Sequence, residues 1–80
     1  MTLYEFQHLT RCEQIDVIWN ISIMIAERKD DYYIYTLHSL ESFYIELRFK
    51  GDFLIGIKSF SNTDFLAPYL QAISIPEGLI

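Results

Sequence analysis

From Phe43 to Lys50 apolar and polar residues alternate without a break: Phe43, Ile45, Leu47 and Phe49 share one side, Tyr44, Glu46, Arg48 and Lys50 the other. A period of two predicts a strand with one apolar face. Gly51-Asp52 then makes a two-residue hairpin loop, because glycine accepts positive φ. Phe53–Phe60 resumes as the next strand, with Phe53, Ile55 and Ile57 on one face. Two strands are predicted upstream. In the first, Ile21, Ile23 and Ile25 alternate with Ser22, Met24 and Ala26, and the charged run 27–31 turns the chain. The second, Tyr32–His38, is rich in β-formers and ends at a weaker turn, Ser39–Ser42.

The first twenty residues follow a helical rule instead. Thr2-Leu3-Tyr4-Glu5 and Thr10-Arg11-Cys12-Glu13 each fit a capping box, in which a Thr hydroxyl and a Glu carboxylate satisfy free backbone N–H groups. They predict a short helix over 3–8 and a second over 11–19, or one kinked helix. Ile15, Ile18 and Trp19 stand at i, i+3, i+4 and so face a core. The run Ser59-Phe60-Ser61-Asn62-Thr63-Asp64 closes the sheet and offers several caps for a short helix near 65–73, with Pro68 in its first turn or starting a second short turn. Pro76 and Gly78 mark a loose tail.

Short connections between successive strands favour an antiparallel meander. An apolar sheet face needs a cover, and the terminal helices supply it. The expected fold is therefore α+β in two layers: an N-terminal helix or two short helices, a four-stranded antiparallel β-meander and a short C-terminal helix. Eighty residues make one domain, 1–80. Its expected core is Ile15, Trp19, Phe43, Ile45, Leu47, Phe49, Ile55, Ile57 and Leu70.

Composition narrows the function classes. The formal charge of −5 argues against binding to bare nucleic acid, whose phosphates demand Lys and Arg, and permits a basic partner or one that itself holds nucleic acid. The chain shows no secretory signal and no apolar run of membrane-spanning length. Its one cysteine, Cys12, has no internal partner. A cytoplasmic setting is the simplest reading.

Candidate chemistry is sparse. His8 and Cys12 have helical i, i+4 spacing, but a zinc site needs three or four ligands and the one other histidine, His38, lies on a strand. The same pair lacks an orienting group for nucleophilic catalysis. Asp30-Asp31 and Glu13-Asp16 read as solvated surface charge. Lys50–Ile57 loosely fits an RNA-recognition strand, but Asp52 and Leu54 fall where stacking aromatics belong. No catalytic residue, metal ligand or cofactor is expected.

Ser42-Phe43-Tyr44-Ile45-Glu46, Ser59-Phe60-Ser61-Asn62-Thr63-Asp64 and Pro68-Tyr69-Leu70, with the opening Met1–Phe6 and the Ile18-Trp19 pair, resemble a group of small uncharacterised proteins from Bacteroidota. The resemblance covers most of the chain and implies a shared fold and origin. It implies no activity. The apolar Ile21–Ile25 stretch departs from the group's more polar version, as in a paralogue carried by a mobile element or prophage.

Tyrosines concentrate on neighbouring strands, and tyrosine serves interfaces by joining a large apolar area to a polar tip. Tyr33, Tyr35, Tyr44, Arg48 and Lys50 are the candidate protein-binding residues, with the acidic rim of the N-terminal helices as the second surface. The expected function is non-enzymatic protein binding. By analogy this includes phage or mobile-element inhibition of a bacterial defence nuclease, as anti-CRISPR proteins do, with a nucleic-acid-bound effector as partner. A homodimer is compatible with it. The alternative is a small-ligand or nucleotide sensor with an aromatic pocket.

Overall fold

The structure, a computed structural model, describes residues 1–70. Both capping boxes form. Thr2 Oγ1 accepts from the Glu5 amide and Glu5 accepts from the Thr2 amide at 2.9 Å, which starts helix α1, Leu3–Gln7. Thr10 and Glu13 repeat the arrangement at the start of α2, Arg11–Ile21. The strands are β1 Ile23–Lys29, β2 Ile34–Leu40, β3 Phe43–Lys50 and β4 Phe53–Phe60. They pair antiparallel in the order β1-β2-β3-β4, so the expected meander is present, and β1 and β4 are its edges. A single 3₁₀ turn, Thr63–Leu66, leads into α3, Ala67–Leu70, with Pro68 in its first turn. The remainder of the helix expected over 65–73, the Leu70 side chain and the tail at Pro76 and Gly78 lie outside the described residues.

The register gives the sheet two distinct faces. Thr36, His38 and Leu40 stand opposite Leu47, Ile45 and Phe43. On this helix-side face Phe6, Ile18, Leu40, Phe43, Ile45 and Leu47 form a closed apolar core, flanked by half-buried Val17, Phe49, Leu54 and Ile57. Against the opposite face, Tyr69 from α3 packs with Leu37 and Phe60, beside Ala26, Tyr35 and Tyr44. The terminal helices thus cover opposite faces of the sheet instead of sharing one.

Several expected positions shift, each for a local reason. The run Glu27-Arg28-Lys29, read as a turn, belongs to β1, which starts two residues later than expected because α2 continues through Ile21. Asp30 makes the turn instead: its Oδ1 accepts from the amides of Tyr32 and Tyr33 at 2.8 and 2.7 Å, so β2 begins at Ile34. Ile55 leaves the expected core because a bulge in β4 leaves it unpaired. The bulge inverts the alternation beyond it, so Leu54 packs inward and Phe53 is exposed. Trp19 is 62% exposed where a core position was expected. Gln14 Nε2 donates to Phe6 O at 3.0 Å, and this tie between the helices rotates the buried stripe of α2 onto Gln14, Val17 and Ile18. Ile15 is half-buried at its margin, and Cys12 is exposed.

His38 sits buried under the end of α2. Ser22 Oγ gives its only proton to Ile18 O at 2.6 Å. It therefore accepts from His38 Nδ1, 3.2 Å away, and Nε2 is left to accept from the Thr36 hydroxyl at 3.0 Å. The ring is a neutral, fully satisfied core group, and burial holds its pKa below the ordinary histidine value. It is remote in role from His8, whose ring packs tilted against Tyr4 at the surface with centroids 4.1 Å apart.

Candidate functional site: a basic and aromatic sheet face

The face opposite the N-terminal helices collects charge that the sequence scatters. By register, Arg28 stands opposite Tyr35, Tyr35 opposite Arg48, Arg48 opposite Gly56, and Glu46 opposite Lys58. Four of the six Lys and Arg residues, Arg28, Arg48, Lys50 and Lys58, thereby occupy one face of an acidic chain.

Arg28 is committed to internal contacts. Its guanidinium lies over the Tyr35 ring, 3.7 Å from the centroid, and reaches Glu46 at 3.5 Å. Its buried Nε has no hydrogen-bond acceptor among the described residues. The electron-rich ring beneath it offsets part of that deficit. Glu46 also accepts from the Tyr69 hydroxyl at 2.6 Å, which ties α3 to the middle of β3. Burial first, and then this carboxylate, push the Tyr69 hydroxyl well above the ordinary tyrosine range.

Asp30 organises the other end of the face. Besides the amides of Tyr32 and Tyr33, it accepts from the Tyr35 hydroxyl at 3.0 Å. Those hydrogen bonds, the Tyr32 amide foremost, hold its carboxyl below the usual carboxylate value. Tyr35 is pushed up, by burial and then by Asp30. The rings of Tyr33 and Tyr35 meet edge to face with centroids 6.1 Å apart, and Arg48 lies 5.1 Å over Tyr33.

Three cations remain. Among the described residues Arg48, Lys50 and Lys58 have no acidic partner within ion-pair distance. Arg48 and Lys58 flank Gly56, over which the Arg48 side chain leans. The absent side chain at Gly56 leaves a shallow hollow of about 180 Å³, lined by Glu46, Arg48, Gly56, Ile57 and Lys58. Lys58 Nζ stands 4.0 Å over the Phe65 ring. The wall thus sets two cations, Arg48 and Lys58, beside the Glu46 carboxylate, which is already engaged by Arg28 and the Tyr69 hydroxyl.

Of the five residues singled out from sequence, the structure brings Tyr33, Tyr35 and Arg48 together. Lys50 lies two residues farther along β3, toward the Gly51 turn. Tyr44 is separate: it stacks on Phe60, centroids 5.8 Å apart, within the apolar cluster under α3. Arg28, Glu46, Lys58 and Phe65 were not anticipated. Lys58 was legible as a polar-face residue only by its alternation with Ile57; its place beside Glu46 comes from the bulge at Ile55, since an unbroken Gly51-Asp52 hairpin would set Glu46 against Ile57. Tyr69 had no such signal, because the side to which the C-terminal helix folds is not written in its own pattern. Comparison of the chain with models of protein families, with curated proteins and with solved structures gives no match, so the face is interpreted from its own chemistry.

Proposed function

We propose that this chain is a non-enzymatic protein-binding domain of the cytoplasm, and that its basic, aromatic sheet face takes an acidic segment of a protein partner. The observation that carries this reading is the placement of Arg48, Lys50 and Lys58, without acidic partners among the described residues, beside Tyr33 and Phe65 on one face of a chain of net charge −5. Aromatic and Arg side chains carry most of the energy at interfaces. The acidic groups nearby, Asp30 and Glu46, are occupied in holding tyrosines and Arg28, which suits a fixed recognition surface better than proton transfer. We further propose, by analogy with small acidic phage proteins, that the partner is a nucleic-acid-bound bacterial effector such as a defence nuclease. In that reading the chain is a mobile-element or prophage member of the Bacteroidota group it resembles.

The nucleotide-sensing alternative draws on the same hollow. At about 180 Å³ it is smaller than the roughly 300 Å³ or more of ordinary small-ligand pockets, which favours a surface contact. The test is affinity capture of partners by the wild-type chain and by the Arg48→Ala/Lys58→Ala variant, with calorimetry on whatever partner is recovered. The paired substitution should abolish capture while the circular-dichroism spectrum stays unchanged. Equal capture by both chains would sink the assignment of this face. Stoichiometric nucleotide binding that the same substitutions remove would replace it with the sensor.

A further inference from the structure

The edge strand β1 carries a feature that the basic face does not use. Trp19, Ile21, Ile23, Met24 and Ile25, at the end of α2 and the start of β1, are each between 46% and 68% exposed; Met24 pairs with His38 and so lies on the Trp19 side of the sheet, whereas Ile23 pairs with Ser39 and lies on the other. No charged residue interrupts Ile21–Ala26. Soluble proteins usually keep contiguous apolar patches to a few hundred Å² or use them for association. An edge strand also presents one row of backbone N–H and C=O groups that no strand of its own sheet satisfies. Here the two coincide.

We infer that β1 pairs antiparallel with β1 of a second copy of this chain, about a two-fold axis normal to the sheet at Met24, giving a continuous eight-stranded sheet. Three observations select this occupant. The first is self-complementarity. In a two-fold antiparallel pair, residues equidistant from the axis face each other. An axis at Met24 sets Met24 against its own copy and Ile23 against Ile25, so uncharged positions meet uncharged positions up to the bulge, where simple counting stops. The second is the limit of the apolar run. The bulge at Ile25 bends the strand, and Glu27 and Lys29, 3.8 Å apart, blunt the far half of the edge. Pairing is thereby confined to the segment around Met24.

The third observation is the two-layer form of the patch. Trp19 lies on α2, above the sheet, with its ring 6.4 Å from His38, the register partner of Met24. An added single strand would cover Ile23 and Ile25 and leave Trp19 and Ile21 wet. A partner covers all five only if it brings its own helix layer beside its own edge strand, and a second copy does so by symmetry. With the axis normal to the sheet, the two basic faces look to the same side.

The experiment is sedimentation of the wild-type chain and of Ile23→Lys at matched concentrations up to tens of micromolar, with circular dichroism on both. The wild type should sediment at twice the chain mass. Ile23→Lys should sediment at the chain mass with an unchanged spectrum. A short bis-maleimide should join Met24→Cys chains in pairs, in a Cys12→Ser background, and leave Phe53→Cys chains of the opposite edge single. A wild type that stays at single-chain mass, assemblies larger than a dimer, or cross-linking through position 53 instead of 24 would each overturn the inference.

Discussion

The two faces of the sheet are built from the same strands and are stabilised differently. The helix-side face is an apolar core in which Phe6, Phe43, Ile45 and Leu47 are almost wholly buried and the one fully buried polar residue among those described, His38, is neutral and satisfied. The opposite face joins a smaller apolar cluster to a charged network in which Arg28, Glu46, Tyr69, Tyr35 and Asp30 hold one another. Apolar burial is non-directional and scales with area, so the first face tolerates no loss of volume. A part-buried charged network depends on each member retaining its partner. One face therefore anchors the fold and the other is a constructed surface.

That division can be broken experimentally, and the largest effect should come from the core. Leu47→Ala removes a buried side chain among Phe6, Ile18 and Ile45, and should lower stability by about 2–5 kcal/mol in denaturant titration. A loss under 1 kcal/mol would mean that this face is less tightly packed than its burial indicates. Tyr69→Phe keeps the ring and deletes its hydrogen bond to Glu46, at an expected cost of about 1.5–3 kcal/mol. Combining the two sharpens the comparison: with no shared partner, their costs should add to within about 0.5 kcal/mol. A larger coupling in the double-mutant cycle would show that the faces are one unit.

Acid separates them as well, by smaller increments. His38 has its folded pKa lowered, so the unfolded chain binds the proton more readily. Stability from this site is complete above about pH 6.5 and is lost as pH falls below that value. Asp30 is also lowered, which moves its loss to acid below about pH 4. Stability measured against pH should show both windows. His38→Gln should flatten the upper one and Asp30→Asn the lower. A chain whose stability is level between pH 7 and pH 5 would contradict the buried neutral imidazole.

Much of this division was legible along the chain. Alternation in β3 gives its faces correctly, and Leu47, Ile45 and Phe43 lie where it puts them. Both capping boxes and the Gly51-Asp52 loop form as expected, with Gly51 at φ 59°. The exceptions have one kind of cause. Ile55 and Phe53 were misplaced by a bulge, and a bulge depends on the partner strand as much as on its own residues. Trp19 was misplaced by a cross-helix hydrogen bond from Gln14 that no periodicity encodes. Arg28 looked like part of a charged turn because the residue that makes the turn, Asp30, stood in the same charged run. Tyr33, Tyr35 and Arg48 were found as types suited to an interface. That one carboxylate and one neighbouring strand bring them together required the register.

Under the proposed function, the single carboxylate of Asp30 has a thermodynamic consequence for recognition. By gripping two successive amides and a phenol, it fixes the backbone under Tyr32 and Tyr33 and the tilt of Tyr35 before any partner arrives. Immobilising rotamer-rich side chains at a contact ordinarily costs about 0.5–1.5 kcal/mol each at the moment of association. In this chain that ordering is completed during folding. The tyrosine surface is preorganised, and losing Asp30 would show itself less in the contacts of a complex than in a slower, entropically penalised approach to it.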